Sequence, residues 1–133
     1  MAAPIRQGFS IRIKNPPWRD LVIWDLKLAG PNGAPQISVS CSSGDGQARF
    51  PEMVFAVERV GVEMKMAPLS LRREESSLVE HCALELCGKW MTLKGIEQAH
   101  LYFAEVWDRQ LLDRGYWEAF VRERKENWVK SLG

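Results

Sequence analysis

The sequence contains no long apolar run and no excess of charge of either sign. None of its apolar stretches approaches the roughly 18 residues that a membrane-spanning helix needs. The opening stretch MAAPIRQGF lacks the apolar segment of a secretory signal. The 18 basic and 17 acidic side chains give a net charge of +1, which favours no polyanionic partner. We therefore expect no membrane association.

Cysteine is also scarce, and its spacing excludes the common metal motifs. The three cysteines are Cys41, Cys82 and Cys87, and none belongs to a C-x-x-C pair. An odd count without a secretory signal indicates reduced thiols and a cytoplasmic location. We interpret these thiols as small apolar core residues. His81 beside Cys82 and Cys87 does not match a closed zinc site, so the sequence predicts no metal and no cofactor.

Motifs that carry catalysis are missing as well. The glycine-rich stretches 30–33 and 44–46 lack the lysine and the following helix of a phosphate-binding loop, and no G-x-S-x-G elbow occurs. Glu97 and His100 have the i, i+3 spacing found in metal-binding helix bundles, but no second such pair exists. The simplest interpretation is a buried His100 that bonds to Glu97 or to a backbone carbonyl. A small enzyme with a Glu97/His100 site is an alternative.

The first half of the chain alternates between apolar and polar residues, as strands do. Such alternation runs through 8–14, 20–28 and 36–42. Between the last two lies Asn32-Gly33, a hairpin-type turn, so we predict that these two strands pair. In the strand 36–42, the side chains predicted to point inward are Ile37, Val39 and Cys41. The alternate residues Ser38, Ser40 and Ser42 should form a solvated face.

The stretch that follows is ambiguous. Met53, Val57 and Val60 have helical spacing, whereas residues 60–66 alternate strictly. We predict a helical turn or a strand through 51–58, and then a strand at 59–66 that ends before Pro68.

The second half predicts three helices, over about 74–91, 93–113 and 116–131, each with an apolar stripe at helical spacing. Strands followed by helices indicate an α+β fold. We therefore predict a single domain over 1–133, in which an antiparallel sheet of three to five strands (about residues 8–67) packs against three C-terminal helices.

Tryptophan is the one residue in excess, with six in 133. Tryptophan and arginine dominate interface hot spots, and the helix 93–113 carries a second apolar strip away from its core stripe. The first hypothesis is therefore a non-catalytic interaction protein, an adaptor or inhibitor-type module that binds a protein partner and self-associates as a homodimer. Its predicted contact residues are Leu101, Tyr102, Leu112, Arg124 and Trp128.

The alternative hypothesis is single-stranded nucleic-acid binding through the N-terminal sheet. The first 30 residues carry five basic and two acidic side chains, a net charge of +3, among aromatic residues that could stack on bases. The remaining residues sum to −2, which disfavours this hypothesis. The residues it would use are Arg6, Arg12, Lys14, Trp18 and Arg19.

Overall fold

The computed structural model describes residues 9–42, 49–73 and 78–132, with side chains described as far as Lys125. Within these ranges the chain forms eight strands and two helices. They are β1 (Ser10–Ile13), β2 (Asp20–Ala29), β3 (Pro35–Ser42), β4 (Arg49–Val60), β5 (Glu63–Arg72), β6 (Glu80–His81), β7 (Ala83–Leu86), β8 (Lys89–Thr92), α1 (Lys94–Asp113) and α2 (Tyr116–Leu132).

The first six strands form one antiparallel sheet in which each strand pairs with the next along the chain. This confirms the α+β class and the pairing of β2 with β3, where Trp24 lies opposite Ser38. The 3-10 turn Pro31–Gly33 joins these two strands, with Asn32 at a φ of 56°. The sheet has six strands rather than three to five, and it extends past residue 67 to His81.

The ambiguous stretch is a strand, and the strand predicted at 59–66 is wrong. β4 continues to Val60, the chain reverses at Gly61 and Val62, and β5 begins at Glu63. Gly61 adopts a φ of 64°, which a glycine accommodates without steric cost. Val60 then pairs with Glu63 across a two-residue hairpin turn. The alternation of residues 60–66 therefore belongs to two strands and not to one.

The helix predicted at 74–91 is also wrong wherever the structure describes it. Residues 80–92 form β6 and the two-stranded hairpin β7–β8. The hairpin closes at Cys87 and Gly88, whose φ angles of 52° and 78° are those of a tight hairpin turn rather than a helix. Residues 74–77 lie outside the described ranges.

The β7–β8 hairpin packs on the face of the sheet opposite the helices. There Ala83 joins a small cluster with Ala34, Ala56 and Leu69, and Trp90 packs against it. Ala56 has no exposed surface, since the hairpin and the strands enclose it. Residues that have helical spacing in the sequence thus serve instead as one apolar side of a hairpin.

The helices predicted at 93–113 and 116–131 are confirmed as α1 and α2. Gly115, at a φ of 82°, lies in the turn between them. Both helices pack on one side of the sheet, which we call the helix face. The main core lies between them and the strands and consists of Ile13, Leu21, Ile37, Cys41, Met53, Phe55, Leu71, Trp107, Tyr116 and Ala119.

The other side of the sheet, which we call the serine face, carries buried polar side chains. Ser38, Ser40 and Ser42 are at most 3% exposed, so their predicted role as a solvated face is wrong. Ser38 Oγ donates a hydrogen bond to Glu52 at 2.7 Å, and Glu52 forms an ion pair with Arg72 at 2.8 Å. The Glu52 carboxylate thus partners both Ser38 and Arg72, although Nε of Arg72 is buried without a hydrogen-bond partner within the described residues.

A pair of hydrogen bonds ties the β1–β2 loop to the α1–α2 turn, and we call this pair the clasp. Asn15 Nδ2 donates to the carbonyl of Arg114 at 2.8 Å. The hydroxyl of Tyr116 donates to the carbonyl of Arg19. Burial raises the pKa of Tyr116 to about 12, so the phenol remains a donor over the whole physiological range.

Candidate functional site

The two helices leave part of the helix face uncovered. Both helices lie on the helix face, but α1 packs against β5 and α2 packs against β1, toward opposite edges of the sheet. Six strands at a spacing of about 4.8 Å span about 24 Å, and a helix with its side chains is about 10 Å wide. The helices therefore leave gaps on both flanks of α1. Apolar side chains of the strands, among them Ile23 and Val39, are only half-buried in these gaps.

The first opening lies between the end of α1, the start of α2 and strands β1 and β2. Its cavity volume is about 310 Å³. Apolar side chains make up nearly all of its lining, including Ile11, Ile23, Leu111, Leu112, Trp117 and Phe120.

The second opening lies on the other flank of α1, over β3, β4 and β5. Its volume is about 340 Å³, and its apolar lining includes Val39, Phe55, Met66, Leu101, Trp107 and Leu111. The two cavities share Leu111 and Asp108, and Ile23 and Val39 pair across β2 and β3 beneath them. We call the combined surface the apolar trough. The charged side chains that line it, Glu105 and Asp108, are both acidic.

The apolar trough brings together two of the residues predicted as protein contacts. Leu101 is 45% exposed and Leu112 is 54% exposed, and each lines one of the cavities. Tyr102 is exposed but lies outside both cavities. Arg124 lies over the ring of Phe120 at 5.1 Å. The side chain of Trp128 lies outside the described residues.

The helical spacing over 116–131 places Trp117 on the apolar stripe of that predicted helix, so the sequence predicts a buried Trp117. The structure buries its neighbour Tyr116 and leaves Trp117 58% exposed against the apolar trough. Adjacent helical positions differ by about 100°, so an error of that size in the predicted orientation of the helix exchanges the two. The clasp orients α2, and its partners in the β1–β2 loop are about 100 residues away, so no local pattern reveals them.

The second part of α2 is exposed as far as its side chains are described. The buried residues of the described part of α2, Tyr116 and Ala119, lie in its first turn, and all four residues from Arg122 to Lys125 are exposed. Within the described chain, Arg124 stacks on Phe120, and Glu123 and Arg124 line a shallow cavity beside β1. We call residues 122–132 the α2 arm.

The residues predicted for nucleic-acid binding fall into two groups. Arg12 forms an ion pair with Asp20 at 2.7 Å, so its charge is neutralised. Trp18 and Arg19 are exposed in the β1–β2 loop, next to the exposed Lys14 at the end of β1. Arg6 lies outside the described residues.

His100 has no exposed surface and bonds to a residue that the sequence did not indicate. Its Nε2 donates to the carboxylate of Glu80 in β6 at 2.7 Å. Its Nδ1 has no hydrogen-bond partner within the described residues, so the predicted bond to Glu97 or to a backbone carbonyl is not formed. This hydrogen bond, aided by Arg73 at 3.7 Å, holds the pKa of Glu80 below its ordinary value. The imidazole is fully buried, and its hydrogen bond to Glu80 ties α1 to the edge of the sheet.

The cysteines differ in their surroundings. Cys41 and Cys82 are buried as expected, and burial raises the pKa of the Cys82 thiol to about 11. Cys87 is exposed in the β7–β8 turn, so its predicted place in the core is wrong. Among the described residues, no three side chains of the metal-binding types come together. No helix in the described ranges has the length and apolarity to cross a membrane.

The fold and the apolar trough define an α+β domain with a six-stranded meander sheet and an incompletely covered helix face. The chain belongs to the family described as a domain of unknown function, DUF6908, whose model matches residues 1–117. The match includes every strand and all of α1, and it ends at Trp117 near the start of α2. No curated protein matches the chain, and no solved structure matches it.

Proposed function

We propose that the protein is a non-catalytic interaction module that self-associates, with the α2 arm of one copy docked in the apolar trough of a second copy. The observation that carries this proposal is the open trough itself, an apolar surface with an acidic rim, together with the exposed basic side chains at the start of the α2 arm. Exposed apolar side chains grouped together and rimmed by polar residues are a feature of interaction sites.

The exposed residues of the trough support an intermolecular contact. Leu101, Leu112 and Trp117 expose about half of their surface over two cavities that together have room for several large side chains. Covering a leucine or a tryptophan removes apolar area from water and contributes roughly 25 cal/mol per Å². A helix laid along the β1–β2 flank of α1 would cover Leu112 and Trp117.

The charges favour the α2 arm as the occupant. The arm carries four basic and two acidic side chains between residues 122 and 132, a net charge of +2. The rim of the trough carries Glu105 and Asp108. Opposite charges across an interface steer association and fix its register.

Docking would also stabilise the arm as a helix. An isolated helix of about a dozen residues is marginal in water, because helices are stabilised mainly by packing their apolar side. A two-fold dimer in which each copy gives an arm and receives one would use both surfaces in a closed arrangement. We also propose a cytoplasmic location, which an exposed Cys87 without an intrachain disulfide supports.

Measuring the mass in solution tests the proposal. Sedimentation or light scattering of the full chain should give about twice the protomer mass of 15.2 kDa at concentrations of about 10 μM. Leu112→Glu should place a charge in the trough and yield monomers. Leu86→Glu is the matched control, since Leu86 is equally exposed, at 54%, on the β7–β8 hairpin.

A charge exchange tests the orientation of the arm. Asp108→Lys should weaken the dimer by placing like charges together, and Lys125→Glu in the same chain should restore it. A wild-type chain that stays monomeric at about 0.1 mM would contradict the proposal. So would a dimer that Leu112→Glu leaves intact while the variant remains folded.

A further inference from the structure

Three arginines of the described chain are stacked on aromatic rings in a connected row. The guanidinium of Arg114 lies 4.2 Å from the ring centroid of Trp18. Arg19, the next residue after Trp18, lies 4.8 Å from the ring of Phe50. Arg49, which precedes Phe50, lies 3.7 Å from the ring of Trp24. We call these six residues the arginine–aromatic row.

The row is continuous along the chain as well as in space. The described part of this chain has five guanidinium–ring contacts, and three of them follow one another through peptide bonds. The clasp fixes the row at one end, because Asn15 holds the carbonyl of Arg114 and Tyr116 holds that of Arg19.

The charges of the row are available to a ligand. Arg19, Arg49 and Arg114 form no ion pair with a carboxylate within the described residues, in contrast to Arg12 and Arg72. Arg19 and Arg114 are exposed, and Trp18 is 45% exposed. Lys14 adds a further exposed positive charge at the end of β1, beside the loop that carries Trp18.

We propose that the arginine–aromatic row is a binding surface for single-stranded nucleic acid. A guanidinium that already stacks on a ring presents its other planar side to a base, and its N–H groups pair with phosphate. Alternating rings and guanidinium groups therefore match the alternating bases and phosphates of an unpaired strand. A site for a free anion would need only the guanidinium groups and not the aromatic rings.

The row passes around the end of the sheet from the helix side to the serine face. Trp18 of the β1–β2 loop stacks with Arg114 at the α1–α2 turn, whereas Arg49 of β4 pairs with Ser42 of β3, whose side chain lies on the serine face. An extended strand can follow such a curved path, but a rigid duplex cannot do so without bending. The geometry therefore favours an unpaired strand over a duplex. This surface is separate from the apolar trough, so the two proposals stand independently.

Fluorescence anisotropy of a labelled oligothymidine of about 16 nucleotides, titrated with the full chain at about 50 mM salt, tests the proposal. We expect saturable binding that weakens as salt rises to about 200 mM. Trp18→Ala should weaken binding at least fivefold, by removing a stacking surface. Arg19→Gln and Arg114→Gln should each weaken it and reduce the slope of log K against log salt by about 0.7.

Arg59→Gln is the matched control, because Arg59 is exposed near the β4–β5 turn and lies outside the row. It should leave the affinity within twofold of the wild type. Thermal melts establish whether each variant is folded. If Trp18→Ala does not fold, Arg114→Gln tests the row in its place. No anisotropy change at about 0.1 mM protein overturns the proposal. The proposal is also overturned if Arg59→Gln weakens binding as much as the row variants do, or if a duplex of the same length competes as well as the single strand. It is overturned as well if heparin binds as tightly as the oligonucleotide and Trp18→Ala does not weaken that binding.

Discussion

The two faces of the central sheet are buried by different kinds of interaction. On the helix face, Met53 and Leu71 are sealed among apolar side chains whose contacts have no preferred direction. On the serine face, Ser38 and its neighbours are equally buried but are held by hydrogen bonds and an ion pair. Apolar packing tolerates an incomplete cover, and the helix face retains an open trough. Polar burial requires each partner to be in place.

Removing apolar volume from the helix face should have the largest effect. Met53 has no exposed surface, so Met53→Ala leaves a cavity and should lower the free energy of unfolding by about 2–5 kcal/mol. Urea denaturation measures the loss. Met64→Ala is the control, since Met64 is 65% exposed on the neighbouring strand and its truncation should cost less than about 0.5 kcal/mol. Equal losses at both positions would contradict the described core.

Breaking the polar network of the serine face should cost less. Glu52→Ala deprives Ser38 and Arg72 of their shared partner, and we expect a loss of about 1–3 kcal/mol. Glu63→Ala, at an exposed carboxyl at the start of β5, should be close to neutral. A double-mutant cycle with Ser38→Ala should give a coupling energy above about 0.5 kcal/mol. Strict additivity would show that the hydroxyl and the carboxylate are not bonded.

The smallest effect is expected at the sheet edge, where Glu80 accepts a hydrogen bond from His100. This bond, with Arg73 nearby, lowers the folded-state pKa of Glu80 below the unfolded value of about 4.5. The unfolded state therefore binds more protons between the two values. The contribution is complete above about pH 4.5 and is lost as the pH falls through the folded value. Glu80→Gln should flatten the decline of Tm between about pH 5 and 3. Glu85→Gln, an exposed carboxyl on β7, should leave that slope unchanged.

Local patterns predicted the parts of the fold whose partners are near in sequence. The β2–β3 hairpin followed from alternation and an Asn-Gly turn, and α1 and α2 followed from their apolar stripes. The β7–β8 hairpin was misassigned because Cys82, Leu86 and Trp90 recur at helical spacing. The contradicting feature was Gly88, which is unfavourable inside a helix and suited to a hairpin turn.

The candidate sites depend on contacts that alternation and spacing do not encode. Leu101 and Leu112 were selected because they lie off the core stripe of α1, and both line the apolar trough. Trp117 was missed because the clasp determines which side of α2 is buried. His100 was placed in the core correctly, but its partner Glu80 comes from a strand that the sequence assigned to a helix.

The clasp also constrains the order in which the molecule can assemble during synthesis. Its two hydrogen bonds join residues 99 and 97 positions apart, so neither can form until nearly the whole family-matched segment has left the ribosome. The six strands pair with their sequence neighbours and can associate earlier, since local contacts close with less loss of chain entropy. The nascent sheet therefore exposes its entire apolar side until α1 docks. A chain released before Tyr116 is added lacks the bond to the Arg19 carbonyl and all of α2, so the part of the sheet that α2 covers at β1 stays exposed.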